Sequence, residues 1–215
     1  MVSSAYTPPM DPLDIIHEDA ELLLVNKPEG LLSVPGKGEH LADCLITRIQ
    51  AVFPTALLVH RLDRDTSGVM VFALTKSAQR HLGLQFEKRH TKKTYMALVR
   101  GEVKDKAGEM HLPLVVDWPN RPLQHVNFEH GKQAVTQWRR GAVKDGTTRM
   151  RLFPHTGRSH QLRVHMLALG HPILGDPFYS DNADEFPRMM LHAESLKLRH
   201  PQGGKAMEFK AKVPF

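Results

Sequence analysis

The segment from His60 to Gly68, His-Arg-Leu-Asp-Arg-Asp-Thr-Ser-Gly, places two carboxylates and two guanidiniums within five consecutive residues. It lies between two apolar runs, residues 56–59 and 69–74, whose branched side chains and turn-forming boundaries predict buried strands. A charged connection between two core strands is held in position by its neighbours, and catalytic residues concentrate on loops of this kind. The sequence therefore predicts a fold organised around this loop.

An aspartate on this loop would be a nucleophile that needs no activating base, because aspartates are ionised at neutral pH. Burial would tend to neutralise the carboxylate, whereas a close guanidinium favours the charged form. Arg61 and Arg64 are the local candidates for that cation. The alternative is that Asp63 and Asp65 only make turn hydrogen bonds or cap a helix, which is the commoner role of a loop aspartate.

Five short segments, in one order along nearly the whole chain, resemble the motifs of the RluA family of pseudouridine synthases. They are residues 26–31 (Asn-Lys-Pro-Glu-Gly-Leu), 60–68, 92–95 (Lys-Lys-Thr-Tyr), 157–165 (Gly-Arg-Ser-His-Gln-Leu-Arg-Val-His) and 191–194 (Leu-His-Ala-Glu). Two further segments, residues 117–122 and 167–176, resemble one subgroup of that family. This subgroup is associated with a uridine in large-subunit (23S) ribosomal RNA and one in the tRNA anticodon stem-loop.

The resemblance implies catalytic roles for Asp63, Tyr95 and Arg163. Asp63, and not Asp65, would be the nucleophile that acts on a flipped-out uridine. Tyr95 would stack on the target base and take part in proton transfer. Arg163 would turn inward from its helix and pair with Asp63; at 4 Å such a pair contributes on the order of 4 kcal/mol before desolvation is charged against it.

The resemblance also implies an RNA-binding set drawn from the same motifs and from the densest basic cluster of the chain, residues 88–93. Arg61 would fill the gap left by the flipped base, and the cluster would contact phosphates. Isomerisation involves no net redox change, so we expect neither a cofactor nor a metal. The expected RNA-binding residues are His60, Arg61, Lys88, Arg89, Lys92, Lys93 and Arg158.

The fold that the resemblance implies is α+β, with a mixed, mostly antiparallel sheet, flanking helices and a central cleft. We expect residues 1–12 to be a flexible tail and residues 13–215 to be a single catalytic domain without an S4-like domain. Apolar spacing predicts helices over 41–53, 77–89 and 159–169, the last two capped by Ser77 and Ser159. Trp118 and Trp138 are predicted to be core residues.

The bulk properties agree with an RNA-binding protein of a reducing compartment. The net charge of +6 attracts polyanions. The single cysteine, Cys44, excludes an internal disulfide, and no apolar run approaches membrane-spanning length. The N-terminus lacks the pattern of a secretory signal. We therefore expect a cytoplasmic, monomeric protein whose partner is structured RNA, without a membrane partner.

Three other functions match these residues less well. The tetrapeptide at 65–68, Asp-Thr-Ser-Gly, matches the aspartic-protease loop, but a single copy would require a homodimer. The spacing of His155, His160, His165 and His171 does not fit a helical zinc motif. A non-catalytic RNA-binding module should be rich in stacking aromatics, which make up only 7% of the chain.

Overall fold

A computed structural model describes residues 6–181 and 183–215, which form an α+β fold with three α-helices. The first part of the chain contains β1 (Ile15–Glu18), β2 (Leu22–Lys27), α1 (Leu45–Val52), β3 (Leu57–Leu58), β4 (Ser67–Ala73) and α2 (Lys76–Glu87). The remainder contains β5 (Lys92–Arg100), β6 (Ala107–His111), β7 (Leu114–Val116), β8 (Gln124–Val126), β9 (Val135–Lys144), β10 (Thr147–Pro154), α3 (Gln161–Ala168), β11 (Leu191–Arg199) and β12 (Ala206–Lys210).

The chain divides into two compact units. The first unit is formed by the described residues up to Thr91 together with Glu194–Lys212, and the second by Lys92–Ala193 with Val213–Phe215. Whether the chain is one domain over 13–215 therefore stays a prediction.

In the first unit, β4 is the most deeply buried element. Every residue from Ser67 to Ala73 is buried, and the strand pairs antiparallel with β2 and with the two-residue β3. Helix α2 packs its apolar side against the same core through Ala78 and Leu82. The sequence predicted this buried strand directly after the charged segment, and its apolar run leaves no polar face for solvent.

In the second unit, the strands follow the order β5-β10-β9-β6, with antiparallel pairing throughout. The core beneath them takes Ala97 and Val99 from β5 and Leu162 and Met166 from α3. Trp138 of β9 lies in this core and faces Gly108 of β6, where a Cβ atom would come within 2.6 Å of the indole. β7 and β8 form a separate antiparallel pair.

The structure corrects two predicted helix caps. Helix α2 begins one residue earlier than expected, and the hydroxyl of Thr75, not that of Ser77, accepts a hydrogen bond from the Ala78 amide. Helix α3 is preceded by His160, whose φ of 52° is left-handed, and not by a capping Ser159. Both predictions relied on local serines, but the backbone path into each helix selected a different residue.

Trp118 is a further correction. It was expected in the core, yet it is 64% exposed in the connection between β7 and β8. The Arg121 guanidinium lies 4.4 Å from the centroid of its ring, in a cation–π contact. Trp138 was predicted correctly, since it is 4% exposed.

Part of the segment that was expected to be a flexible tail is hydrogen-bonded to the first unit, and the flexibility of residues 1–12 stays a prediction. Residues 1–5 lie outside the described residues, and residues 6–14 contain no helix or strand. The Tyr6 hydroxyl nevertheless donates to the Asp43 carbonyl and accepts from the Leu32 amide, both at 3.0 Å. Arg48 Nη1 donates to the Pro9 carbonyl at 2.7 Å.

None of the helices in the described part of the chain combines the length and the apolar character that a membrane span requires.

Asp19 joins the two ends of the first unit. Its Oδ2 accepts from His17 at 2.7 Å and from His200 at 3.2 Å, and its Oδ1 accepts from the amides of Glu21 and Leu22, each at 2.8 Å. Burial alone would raise the pKa of the Asp19 carboxyl, but these hydrogen bonds outweigh burial and lower the pKa to about 2. The ionised carboxylate thus stabilises the folded unit.

Asp19→Asn is expected to lower the free energy of unfolding by about 1 kcal/mol at pH 7, after allowance for the partial exposure of the carboxylate. Because the folded pKa lies below the unfolded one, this contribution is present above pH 4 and is lost as the pH falls through about 2. Urea denaturation at several pH values measures the difference. Glu18→Gln, which removes an exposed neighbouring carboxylate, is the control, and an equal effect of both changes would contradict the assignment.

Candidate active site

The loop that carries Asp63 connects β3 to β4 in the first unit. Asp63 is half-buried, and its carbonyl accepts a hydrogen bond from the Thr66 amide at 3.2 Å, which closes a turn over residues 63–66. Arg61 is exposed. The loop is followed by a fully buried strand, as the sequence predicted, whereas the strand before it has only two residues and is half-buried.

Ser33 fastens this loop to the body of the first unit. Its hydroxyl donates to the Leu62 carbonyl at 2.7 Å and accepts from the Leu62 amide at 3.2 Å. Ser33 is buried, and so is Leu62 directly before the candidate nucleophile. One hydroxyl therefore satisfies both backbone groups of the residue next to Asp63, where a β-ladder would otherwise be needed.

Lys27 holds the other side of the loop. Its side chain is fully buried, and Nζ donates to the carbonyls of Pro28 at 2.8 Å, Leu31 at 2.6 Å and Arg64 at 2.8 Å. A buried ammonium is tolerated only when its donors are satisfied, and three carbonyls match its three N–H groups. Lys27 thus ties the residue after Asp63 to the end of β2.

Asp65 forms an ion pair with Arg64, the residue directly before it. Arg64 Nε donates to Asp65 Oδ1 at 2.7 Å, and Arg64 Nη2 donates to Oδ2 at 3.2 Å. Asp65 is 8% exposed. The bidentate pair gives Asp65 a structural role in the turn, in keeping with the choice of Asp63 as the nucleophile.

His60 is packed into the first unit. Its Nε2 accepts from the Val71 amide at 3.1 Å, and its ring stacks on Phe86 with the centroids 4.7 Å apart. These contacts link the loop to β4 and α2. These contacts show how His60 is held, and its expected role in RNA binding stays a prediction.

The basic cluster begins at the end of α2. Lys88, Arg89 and Lys92 are exposed, and Arg89 has a left-handed φ of 59° that turns the chain out of the helix. Solvent-facing cations at successive positions are suited to phosphate contacts. Arg158 is also exposed, in the second unit, where its Nε donates to the Gln133 carbonyl at 3.2 Å.

Lys93 differs from the exposed cations beside it. It alternates with Tyr95 along β5, so both side chains leave the same face of the strand. Lys93 Nζ lies 3.5 Å from the Thr156 carbonyl. Burial lowers the pKa of the Lys93 ammonium to about 8. Tyr95 is half-buried and packs against the core of the second unit.

Arg163 turns inward, as the resemblance implied, and is 1% exposed on α3. It forms a bidentate ion pair that the sequence did not predict: Nε donates to Asp176 Oδ2 and Nη2 to Asp176 Oδ1, both at 2.7 Å. Asp176 is fully buried. The predicted pairing of Arg163 with Asp63 stays a prediction, because Asp63 belongs to the first unit and Arg163 to the second.

Two aromatic rings contact the guanidinium of this ion pair. The Arg163 guanidinium carbon lies 5.1 Å from the ring centroids of both Phe178 and Tyr179. The Tyr179 hydroxyl is hydrogen-bonded to His160 Nδ1 at 2.7 Å and accepts from the Gln124 amide at 2.8 Å. The guanidinium is thus bound along one edge by a carboxylate and makes cation–π contacts with two neighbouring rings.

Gly175 makes the position of Asp176 possible. Its φ is +70°, and a Cβ atom there would lie 2.0 Å from the Arg188 carbonyl oxygen. Only glycine fits such a backbone without displacing the neighbouring chain. Gly175 and Asp176 both lie in residues 167–176, the segment that resembles one subgroup of the family. That resemblance did not indicate the contact between Asp176 and Arg163.

Comparison with known proteins identifies the class. The RNA pseudouridylate synthase family model matches residues 21–168, and the chain therefore belongs to this family of isomerases, which convert uridine in RNA to pseudouridine. The family that the sequence motifs indicated is thus confirmed, and the protease and non-catalytic alternatives are not supported. Among the described residues, no group of three or more His, Cys, Asp or Glu is arranged to hold a metal.

Several known proteins of this family are similar to the chain over almost its whole length. The chain is 52% identical over 214 residues, 98% of each chain, to the dual-specificity RNA pseudouridine synthase RluA of Escherichia coli K12. It is 50% identical, with the same coverage, to the protein of that name from Haemophilus influenzae. Human RNA Pseudouridylate Synthase Domain Containing 1 has a similar structure, with a TM-score of 0.77, 30% identity, and coverage of 97% of this chain and 87% of that one.

Ser33→Ala is expected to lower the free energy of unfolding by about 1–3 kcal/mol, because it leaves both backbone groups of Leu62 without the hydroxyl. It should also slow pseudouridine formation, since the loop then holds Asp63 less firmly. Thermal unfolding and a single-turnover assay measure the two effects.

Thr47→Ala is the matched control. Its hydroxyl likewise accepts from the amide and donates to the carbonyl of one residue, Cys44, but at the start of α1. It should lose stability with little change in rate. An equal loss of rate at matched stability would rule out a specific role for Ser33 in the loop.

Proposed function

We propose that this pseudouridine synthase modifies a uridine in 23S ribosomal RNA and one in a tRNA anticodon stem-loop, with Asp63 as the nucleophile. The observation that carries the proposal is the anchored, half-buried Asp63 within a His-Arg-Leu-Asp motif, in a chain 52% identical to a dual-specificity enzyme over almost its whole length. Dual use requires recognition of a loop shape that both RNAs share, a common mode of RNA recognition.

The reaction starts with the target uridine leaving its stack, which costs a few kcal/mol and favours loop nucleotides. Arg61 is exposed on the same loop as Asp63 and fills the space that the base vacates. Asp63 then attacks either the ribose C1′ or the uracil C6, and the N1–C1′ bond breaks. The uracil rotates and forms a new bond from C5 to C1′, and the bond between Asp63 and C1′ or C6 breaks, which restores the free carboxylate.

Release of the product requires loss of the C5 proton, for which Tyr95 is the candidate acceptor, and uptake of one proton by N1, which has lost its bond to C1′. In this proposal Tyr95 also stacks on the uracil, and Arg163 stabilises the ionised Asp63. The reactant and the product are isomers, so the steps balance without an electron acceptor or a second substrate.

The RNA backbone is held by cations around these residues. The proposed contact set consists of His60, Arg61, Lys88, Arg89, Lys92, Lys93 and Arg158, and the contacts of His60 with Val71 and Phe86 also shape the loop. Each phosphate contact contributes about one unit to the salt dependence of binding. We place the enzyme in the cytoplasm, since both proposed RNAs are found there. We also propose that it acts as a monomer.

The decisive experiment maps pseudouridines in total RNA from cells with and without this gene. Loss of one site in 23S ribosomal RNA and one in a tRNA anticodon loop is the expected result. A map without any change would refute the proposal, and loss at only one of the two sites would refute dual use.

Asp63→Asn is expected to abolish pseudouridine formation, because the neutral amide cannot act as the nucleophile, while RNA affinity changes little. Asp65→Asn should retain substantial activity, since the Asp65 carboxylate is occupied by Arg64. Tritium release from RNA labelled at uracil C5 measures the activity of both. Equal loss in the two variants would show that the nucleophile has been misassigned.

Lys93 gives the RNA affinity a pH dependence. With a pKa of about 8, the ammonium is lost as the pH rises from 7 to 9, so the wild-type affinity should fall by up to about tenfold. Lys93→Arg keeps its charge over this range and should remove the dependence. Lys92→Arg, at the exposed neighbour, is the control and should retain it. A wild-type affinity that is constant from pH 7 to 9 would exclude Lys93 from the contact set.

A further inference from the structure

We propose that Asp176 is a positioning residue that fixes the orientation of the Arg163 guanidinium for catalysis. The inference rests on the proposed function, in which Arg163 stabilises the ionised nucleophile. It is carried by a contact set that lies wholly within the second unit and contains no residue expected to touch RNA.

The Asp176 carboxylate has two sets of partners. Towards α3 it accepts from Nε and Nη2 of Arg163, so one edge of the guanidinium is bound and the Nη1 group takes no part in the pair. Towards its own loop, Oδ1 accepts from the amides of Phe178 at 2.9 Å and Tyr179 at 3.2 Å. A bidentate pair fixes both the position and the plane of a guanidinium.

The same carboxylate therefore also positions the backbone of the two rings that contact Arg163. The two amides that it binds belong to Phe178 and Tyr179, whose rings each lie 5.1 Å from the guanidinium. The Tyr179 hydroxyl is in turn held by His160, the residue with left-handed backbone directly before α3. Strained backbone of this kind persists where the surroundings fix it. The Asp176 loop, its two aromatic rings and the residue that precedes α3 are thus linked by contacts to Arg163 or to each other.

Asp176 has two opposing effects on the interaction between Arg163 and the nucleophile, one through its hydrogen bonds and one through its charge. As a negative charge beside Arg163, it weakens the positive potential that Arg163 offers to another carboxylate. If charge were the dominant effect, removal of the Asp176 charge would strengthen the pull of Arg163 on the nucleophile. If orientation dominates, the same change releases the guanidinium and weakens that pull. The two possibilities predict shifts of opposite sign.

Asp176→Asn separates these effects in the full chain. The amide oxygen, in the place of Oδ1, can still accept from Phe178, Tyr179 and Arg163 Nη2, so the loop is retained, but the amide nitrogen, in the place of Oδ2, cannot accept from Arg163 Nε. The pair thus loses its charge and the second bond that fixes the plane of the guanidinium. We expect the single-turnover rate of pseudouridine formation to fall about tenfold to a hundredfold, with RNA affinity within about twofold of wild type. The acid limb of the pH–rate profile should move to higher pH, because the nucleophile is less well stabilised as the anion.

Thr136→Val controls for lost stability. Thr136 is buried on β9, and its hydroxyl bonds Gln161 and His165 on the same helix without touching Arg163. It should lower the thermal midpoint without moving the acid limb. If Asp176→Asn and Thr136→Val affect rate and profile equally at matched stability, Asp176 is only structural. An acid limb that moves to lower pH would also overturn the proposal.

A double-mutant comparison connects the effect to Arg163. In an Arg163→Met background, Asp176→Asn should change the rate by less than about twofold, because the group through which it acts is gone. A further tenfold loss in that background would overturn the proposal. Loss of activity in Arg163→Met together with a wild-type rate in Asp176→Asn would refute only this inference. Full activity in Arg163→Met, or a wild-type chain that forms no pseudouridine, would refute the proposed function itself.

Discussion

A charge buried in a protein is stable only if the surroundings replace the water it has lost, and this constraint shapes both units. In the first unit, the Lys27 ammonium is satisfied by three carbonyls, one of which belongs to the loop of Asp63. In the second unit, the Arg163 guanidinium is satisfied by the Asp176 carboxylate. The first arrangement fixes the backbone next to Asp63, and the second fixes the side chain of Arg163 itself.

The two solutions differ in rigidity. Three carbonyls around Lys27 bind a point charge and hold the loop through its backbone, so the identity of the loop side chains is left open for catalysis. The Arg163–Asp176 pair instead orients one planar group, and its geometry depends on Gly175, where no Cβ atom fits. The fold, as distinct from the activity, should therefore tolerate side-chain substitution better in the turn of residues 63–66 than in the loop of residues 175–179.

Local sequence sufficed for the elements whose burial is continuous. The buried strand after the charged segment was predicted because residues 69–74 have no polar face, and the inward turn of Arg163 followed from the family motif. The wrong predictions concerned features that depend on contacts with other parts of the chain. Ser159 was a reasonable cap by propensity, but the contacts of His160 with Tyr179 set the start of α3 elsewhere. Trp118 was placed in the core for its size, although it stacks on a neighbouring arginine at the surface.

The candidate site shows the same division. Asp63, Tyr95 and Arg163 carry side chains whose chemistry suggests a role, and the motifs around them could be found in the sequence. Ser33, Lys27 and Asp176 act by closing hydrogen bonds over separations of 13 to 37 residues, which no local pattern encodes. Such residues define how precisely the reacting groups are held, and precision of this kind accounts for a large share of a catalysed rate. A sequence motif can therefore name the reaction while the residues that set its efficiency are visible only in the folded chain.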